Sequence, residues 1–265
     1  MVRVVAIVLA FAGLTLALLP FQLAGIAFGL RLQRVVPHWY HRVLCRLIGV
    51  RIREVGARSA DRPALILSNH VSWLDICVIS ALAPVVFVAK SEVATWPVFG
   101  WLAKLQRTIF INRQARHQTG AASREIAGRL LGGDAVVLFA EGTSSDGNRV
   151  LPFRSSLVGA VHHALGNSTH HTHVTVQPMS LAYVSLSGVP MGRALRTRVA
   201  WYGDAALIPH LLAVLASGAV DATVSWGEAV AYDMSVDRKA ITRDAEQSVR
   251  RMTVAALRHA PAAQA

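Results

Sequence analysis

Hydrophobic and polar residues divide this chain into three regions of different character. The first is an almost wholly apolar run from Val4 to Leu30, in which Thr15 and Gln22 are the clearly polar interruptions. A mixed segment follows, Trp39 to Ile48, where aromatic residues, arginines and aliphatic residues recur at roughly helical spacing. From residue 50 onwards, short apolar runs alternate with longer amphipathic ones. This alternation is typical of an α/β domain.

The apolar periods predict individual elements. Strands are predicted near 50–54, 64–68, 85–89, 108–111, 135–139, 174–183, 197–202 and 221–227, and helices near 73–82, 115–132, 154–165, 206–217 and 237–258. The sequence contains no internal repeat and no linker. We therefore predict an α/β fold, a layered mixed sheet flanked by helices and preceded by an N-terminal membrane-anchoring helix. Residues 1–34 form the predicted membrane segment and residues 35–265 the α/β domain.

Pro20 divides the apolar N-terminal run. Residues Val4 to Leu19 alone span about 24 Å as a helix, short of the roughly 30 Å hydrocarbon core, so the run is either a kinked full span or a re-entrant anchor. A signal peptide is disfavoured by the long apolar stretch and the lack of a clear cleavage site. Four arginines follow the run, at positions 31, 34, 42 and 46, against one before it, at position 3. This bias predicts an inner-membrane protein with its α/β domain facing the cytoplasm.

Composition narrows the classes of partner. The chain of 265 residues is large enough for one α/β domain plus a membrane segment, and its 27 Lys and Arg against 15 Asp and Glu give a net charge of +12. Such a surface favours acidic lipid headgroups or an acidic carrier protein, although arginine-rich codon usage is an alternative explanation. No nucleic-acid motif is present, so we expect no nucleic acid. The segment Trp39 to Ile48 is either an amphipathic helix on the bilayer surface or an ordinary core helix.

His70 and Asp75 are the first candidates for chemistry. They follow the predicted strand 64–68, five positions apart. A neutral imidazole can take a proton from a hydroxyl near pH 7, and a carboxylate on its other ring nitrogen fixes the tautomer. Positions i and i+5 lie far apart around one helix, so we expect His70 in the turn and Asp75 in the first turn of the next helix. A structural hydrogen bond is the alternative.

Two further predicted strands end at charged residues. The run Thr108 to Arg113 ends in a guanidinium, and the strand 135–139 leads into Glu141, Gly142 and Thr143. Ligands of open α/β sheets bind beyond the carboxyl ends of parallel strands, where these groups would converge with His70. A solvated strand end and a capped turn are the alternatives for Arg113 and for Glu141.

Together these blocks resemble the lysophospholipid acyltransferase family, typified by bacterial 1-acylglycerol-3-phosphate acyltransferase. The similarity covers roughly residues 35 to 230. It consists of H-x4-D at His70 and Asp75, F-x-x-R at Phe110 and Arg113, E-G-T at 141–143, and an apolar strand containing Pro178. The resemblance implies that His70 is the catalytic base and Asp75 its orienter. It also implies that Arg113 binds the anionic headgroup of the acceptor, while Glu141, Gly142 and Thr143 help to hold the acceptor.

The reaction implied is direct acyl transfer from acyl-carrier-protein or acyl-coenzyme A to the free hydroxyl of lysophosphatidate, giving phosphatidate. It needs no metal, cofactor or covalent intermediate, and backbone N–H groups near the His70 turn are candidate oxyanion donors. Two departures from the family stand out, Ala140 for the usual Pro and Arg107 for a usual Gly. Arg107 would add a cation beside the headgroup site. With the loop 145–149 it points to an alternative acceptor, a lyso-ornithine lipid, with its carboxylate on Arg107 and its ammonium on Asp146.

Other functional classes are less well supported by the residues. Ser72 and Ser144 are possible nucleophiles, but neither lies in the G-x-S-x-G motif of a serine hydrolase. A membrane-anchored protein that binds anionic lipid without catalysis is an alternative of another class. A histidine cluster at positions 162, 163, 170, 171 and 173 lacks the carboxylates and open geometry of a catalytic zinc site, and we expect no metal there.

Overall fold

The structure is a computed structural model that describes residues 2–112, 119–159, 173–233 and 235–258, with only the backbone of 119–122 and 157. The helices are α1 (Val2–Ala27), α2 (Leu32–Ile48), α3 (Leu74–Leu82), a 3-10 helix (Ser91–Thr95), α4 (Phe99–Leu105), α5 (Thr119–Leu131), α6 (Ser155–Val158), α7 (Arg193–Arg196), α8 (Leu207–Ala216) and α9 (Arg238–Arg258). The strands are β1 (Val50–Val55), β2 (Ala64–Ser68), β3 (Val86–Lys90), β4 (Ile109–Ile111), β5 (Ala135–Phe139), β6 (Val174–Leu186), β7 (Val189–Pro190), β8 (Val220–Trp226) and β9 (Val230–Tyr232).

The strands form one mixed sheet in the order β1-β8-β6-β2-β5-β3-β4, with β7 and β9 also paired to β6. Strand β2 lies at the centre and is parallel to both β5 and β6, whereas β8 is antiparallel to β6. Every residue of β2 and β5 is buried. Continuous apolar strands of this kind are expected where helices cover both faces of a parallel sheet. The predicted fold class is confirmed.

Side chains alternate between the two faces of the sheet and build two cores. Ala64 and Ile66 of β2 belong to the core beneath α1, α2 and α3, whereas Leu65 and Leu67 belong to the core that contains residues of α5 and α9. This two-residue period follows from the pleat of a strand. The carboxyl ends of β2 and β5 therefore emerge together at one edge, between the two helical layers.

Most predicted elements are found within one to three residues of the expected bounds, and 135–139 matches β5 at both ends. The strand predicted at 197–202 is wrong, because this segment follows α7 without entering the sheet. Its apolar residues Val199 and Ala200 are buried, and the Trp201 N–H donates to the Val71 carbonyl at 2.8 Å. Burial there comes from docking on a loop, a context that an apolar run alone does not reveal. The predicted helices 115–132 and 154–165 extend outside the described residues.

Helices α1 and α2 form an antiparallel pair. Helix α1 continues through Pro20, and its 26 residues reach about 39 Å at 1.5 Å per residue. It ends at Ala27, and Gly29 in the turn that follows has a φ of 63°, which suits glycine. The Thr15 hydroxyl lies 2.9 Å from the Tyr40 hydroxyl of α2. The length and apolar composition of α1 fit a membrane anchor. Because α2 begins at Leu32, the boundary predicted after residue 34 falls inside this helix.

Both ends of α1 are fastened to the α/β domain. Near its start, the Arg3 guanidinium donates to the carbonyls of Ile48, Leu215 and Gly218. Near its end, the Gln22 amide donates to the carbonyls of Gln33 and Leu105 at 3.2 and 2.6 Å. The outward face of α1 still exposes large apolar side chains, which are Val2, Val5, Val8, Leu9, Leu16, Phe21, Leu23 and Ile26.

Candidate active site

Asn69 fixes the point where the chain leaves β2. Its buried amide donates from Nδ2 to the Leu181 carbonyl at 2.9 Å, and its Oδ1 accepts the Leu181 N–H at 2.9 Å. These two bonds tie the end of β2 to the middle of β6, so the next residue, His70, is held at the edge of the sheet. Sequence reasoning did not single out Asn69, because a polar residue after a strand looks like an ordinary turn.

Asp75 lies in the first turn of α3, as predicted, and gathers four hydrogen bonds. Its Oδ2 accepts from His70 Nδ1 at 2.7 Å and from the N–H groups of Val71 and Ser72 at 2.7 and 3.0 Å. Its Oδ1 accepts from the Tyr183 hydroxyl at 2.7 Å. The side chain is 0% exposed. A carboxylate at a helix N-terminus with this many donors is held in one orientation.

The imidazole of His70 is clamped on two sides. Asp75 holds Nδ1, and the ring of Phe139 stacks against it with centroids 4.0 Å apart and planes 15° apart. Because a carboxylate only accepts, Nδ1 carries the proton and Nε2 carries the lone pair. No hydrogen bond to Nε2 is found in the part of the chain that the structure describes, and the side chain is 20% exposed. The pair therefore has the geometry of a general base open to a substrate hydroxyl.

Tyr183 is a member of this network that sequence reasoning missed. It stands on β6, where every residue is buried, 108 positions after Asp75. Burial, followed by the charge of Asp75 and the hydrogen bond to it, raises the pKa of Tyr183 well above its usual range, so its hydroxyl remains a donor. In the sequence, this tyrosine is indistinguishable from the aromatic core residue of an ordinary strand.

Glu141 approaches His70 from the end of β5, but its carboxylate faces the protein. Its Oε1 accepts the Leu151 N–H at 3.0 Å and its Oε2 accepts the His70 N–H at 3.4 Å. Burial raises the pKa of Glu141 to about 8, against the lowering effect of these two hydrogen bonds. Gly142 follows in the left-handed region, with φ of 74°, and Thr143 is exposed. Of these three predicted acceptor contacts, Glu141 and Gly142 are buried and Thr143 is exposed.

Arg107 does not lie where the sequence suggested. Its guanidinium binds both oxygens of Asp134, at 3.1 and 2.7 Å, and Asp134 directly precedes β5. Glu141 follows the other end of that strand, which is about 16 Å long at ~3.3 Å per residue. A residue before β4 lies at the opposite edge of a parallel sheet from Glu141, so the structure does not bring Arg107 to the predicted headgroup site. Arg113, the predicted anion ligand, lies outside the described residues, as do the first four histidines of the predicted cluster.

The turn at residues 70–72 does not meet two other expectations from the sequence, the oxyanion donors and a serine nucleophile. The N–H groups of His70, Val71 and Ser72 all donate to carboxyl oxygens of Glu141 or Asp75, so they are not available as oxyanion donors. The Ser72 side chain is completely buried, which removes it as a nucleophile.

Two segments support the His70 turn from outside. The Ser145 N–H donates to the His70 carbonyl at 2.8 Å, and the Trp201 N–H donates to that of Val71. The two segments are joined to each other by a bond from Arg196 Nη1 to Asn148 Oδ1 at 2.5 Å. Asn148 belongs to the loop 145–149 that the sequence connected with the acceptor, whereas Arg196 was not expected from the sequence.

Three comparisons bear on this site. The family model described as Acyltransferase matches residues 49–182. A lyso-ornithine lipid O-acyltransferase of Brucella abortus is 47% identical over 256 residues, covering 97% of this chain and 96% of that protein, whereas a 1-acyl-sn-glycerol-3-phosphate acyltransferase of Neisseria gonorrhoeae is 40% identical over 106 residues, covering 39% and 42%. The crystal structure of the 1-acyl-sn-glycerophosphate acyltransferase of Thermotoga maritima has the same fold, with a TM-score of 0.60 at 20% identity over 94% of this chain and 97% of that one.

Proposed function

The chain belongs to the acyltransferase family and acts on lysolipids, and from this premise we propose that it is a lyso-ornithine lipid O-acyltransferase with His70 as its general base. The observation that carries the choice of acceptor is the extent of the match to the Brucella protein, which runs over nearly the whole of both chains. The match to the glycerophosphate enzyme covers less than half of either chain. Sequence reasoning alone favoured lysophosphatidate and held the ornithine lipid as its alternative, so our proposal reverses that preference.

In the proposed mechanism, His70 Nε2 takes the proton of the acceptor hydroxyl. The oxygen forms a bond to the thioester carbonyl carbon of an acyl-carrier-protein or coenzyme A donor, and the tetrahedral oxyanion collapses with cleavage of the C–S bond. The thiolate that leaves takes the proton back from the imidazolium. Asp75 stabilises the imidazolium in between, since it holds Nδ1 throughout.

The protein holds the imidazole of His70 in one orientation. Four donors hold Asp75, and Phe139 holds the plane of the imidazole, so Nε2 points in one direction before any substrate arrives. General base catalysis supplies about 10²- to 10⁴-fold, and positioning of two lipid substrates supplies further acceleration. We assign Glu141 a positioning role, in which its carboxyl group accepts the N–H groups of His70 and Leu151 and so holds the His70 turn.

We further propose that α1 lies along the domain in the cytoplasmic leaflet of the inner membrane. A helix whose two ends both bind one domain, through Arg3 and Gln22, cannot carry that domain on one side while crossing to the other. The re-entrant alternative is therefore preferred over the kinked full span. The arginines that follow α1 favour the cytoplasmic side.

Purified full-length protein in detergent, supplied with labelled acyl-carrier-protein or acyl-coenzyme A, tests the proposal. We expect acylation of lyso-ornithine lipid with a kcat/KM at least tenfold above that for lysophosphatidate, read by mass spectrometry of the products. His70→Ala should lower kcat by 10² or more, and Asp75→Asn by somewhat less. His38→Ala, which removes an imidazole bonded to the Ser80 carbonyl away from the site, is the matched control.

Two results would contradict the proposal. A tenfold preference for lysophosphatidate would overturn the acceptor, and a folded His70→Ala protein with more than a tenth of the original activity would overturn the base. A protein that binds lysolipid equally well with and without His70 and forms no product would instead be the non-catalytic lipid-binding protein.

A further inference from the structure

Charges of opposite sign lie next to the His70 turn, on the two segments that support it. Gly147 lies between Val71 and Arg196, since a Cβ added there would be 3.0 Å from Val71 Cγ1 and 3.8 Å from Arg196 Cδ. The positive φ of Gly147, 73°, and this close approach explain why the loop needs glycine at that position. Arg196 and the loop 145–149 are therefore immediate neighbours of the residue that follows the base.

Arg196 is a buried cation without a carboxylate partner. It is 8% exposed, and its guanidinium donates to Asn148 Oδ1 and to the Met191 carbonyl, both of them neutral acceptors. Its Nε is buried and has no hydrogen-bond partner among the residues that the structure describes. Among the same residues, Arg196 forms no salt bridge. Arg107, by contrast, binds both oxygens of Asp134. Burial and the charge of Arg193 lower the pKa of Arg196, and the charge of the nearby Asp146 raises it, so Asp146 acts on the guanidinium without bonding to it. A desolvated guanidinium whose hydrogen-bond partners are all neutral is suited to an anion supplied by a ligand.

Asp146 provides the opposite charge on the other side of Asn148. Its Oδ1 accepts the Asn148 N–H at 3.0 Å and its Oδ2 accepts from Asn148 Nδ2 at 3.2 Å. Although partial burial opposes it, these bonds and the nearby Arg149 hold the pKa of Asp146 below its usual range, so it is ionised at neutral pH. Asn148 thus bridges a buried cation and a partly exposed anion, which is an arrangement complementary to a zwitterion.

We infer that Arg196, Asn148 and Asp146 form the acceptor headgroup subsite, in which Arg196 binds the carboxylate of ornithine and Asp146 binds its side-chain ammonium. This inference rests on the proposed function and deepens it. A phosphate monoester would satisfy Arg196, but its second negative charge would be repelled by Asp146. The subsite therefore explains how the same catalytic pair could select an amino-acid headgroup over lysophosphatidate, and it assigns to Arg196 the role that sequence reasoning gave to Arg107.

Acceptor analogues combined with substitutions test each contact separately. The acceptors are lyso-ornithine lipid, its carboxamide and its side-chain N-acetyl derivative. Asp146→Asn should lower kcat/KM for the parent about tenfold to a hundredfold, mainly through KM, yet match the unmutated enzyme on the N-acetyl derivative. Arg196→Gln should likewise lower kcat/KM for the parent about tenfold to a hundredfold, yet match the unmutated enzyme on the carboxamide. Asp146→Asn should also improve lysophosphatidate, because it removes the repulsion.

The matched controls are Arg198→Gln and Asp244→Asn, because both side chains are exposed. Neither substitution should change kcat/KM for any of the three acceptors. Arg196→Lys keeps the charge without the fork and should give an intermediate loss. If Arg196→Gln unfolds, two measurements still test the subsite. They are the kcat/KM of the unmutated enzyme for the carboxamide and the Asp146→Asn values for the three acceptors.

Equal losses on all three acceptors, or losses below twofold on the parent, would overturn the subsite while leaving the proposed function intact. An unmutated enzyme that ignores lyso-ornithine lipid would overturn the proposed function, and this inference with it.

Discussion

Replacing Tyr183 by phenylalanine should weaken the base without removing it. The hydroxyl is the only described donor to Asp75 Oδ1, at 2.7 Å, and both side chains are at most 1% exposed. Phenylalanine preserves the packing of the ring, so the change isolates one hydrogen bond. It leaves one oxygen of a buried carboxylate without a donor, while Oδ2 retains its three N–H donors.

The expected size follows from the chemistry of the lost bond. An unsatisfied buried partner costs about 1–3 kcal/mol, and a charged acceptor lies towards the upper end. A loss of about 2–3 kcal/mol at roughly 2–4 °C per kcal/mol, for a domain of this size, should lower Tm by roughly 4–12 °C. We expect kcat to fall about tenfold, equivalent to ~1.4 kcal/mol of transition-state stabilisation, because Asp75 then holds the imidazole less firmly. The KM for the acceptor should hardly change.

Thermal unfolding and steady-state kinetics on the same preparations measure both effects. The control is Ser180→Ala on the same strand, which removes a buried hydroxyl 3.0 Å from that of Thr253 on the opposite face of the sheet. It should lower Tm and leave kcat unchanged. If Tyr183→Phe lowered Tm like the control yet kept full kcat, the bond to Asp75 would be structural alone and the positioning argument would be refuted.

Three further predictions concern other parts of the molecule. The pKa of Glu141 is about 8 in the folded protein and 4.5 when unfolded, so the folded state binds the proton more tightly and stability should fall by at most roughly 5 kcal/mol as pH rises from 4.5 to 8. Glu141→Gln should remove this pH dependence from the denaturant midpoints between pH 5 and 8.5, and the same pH dependence in both proteins would contradict the argument. Asp134→Asn should lower the free energy of unfolding by about 3 kcal/mol, since it removes the ion-pair partner of Arg34 and Arg107. It should not alter the ratio of kcat/KM between acceptors, and a changed ratio would contradict the remote position of this cluster. Removal of residues 1–30 should release the protein from membranes in a high-salt wash and spare part of the activity on short-chain soluble acceptors, whereas quantitative pelleting would show that α1 is redundant as an anchor.

Local patterns alone determined the strand ends and the first catalytic candidates. Continuous, mainly apolar runs mark β2 and β5, because both faces of these strands are buried. The five-residue spacing of His70 and Asp75 required a turn followed by a helix, which the structure contains. A long apolar run identified α1, since hydrophobic length is readable without knowledge of the fold.

Tertiary structure decided which distant residues meet and which edge of the sheet each charge occupies. Tyr183 reaches Asp75 from 108 positions away because β6 pairs with β2, and strand order is not encoded in any local period. Arg107 precedes β4 and so binds Asp134 at the remote edge, while Arg196 comes from a segment that only docking on Val71 brings to the site. The sequence therefore determined which residues are able to carry the chemistry, and the packing of the sheet determined which of them stand together.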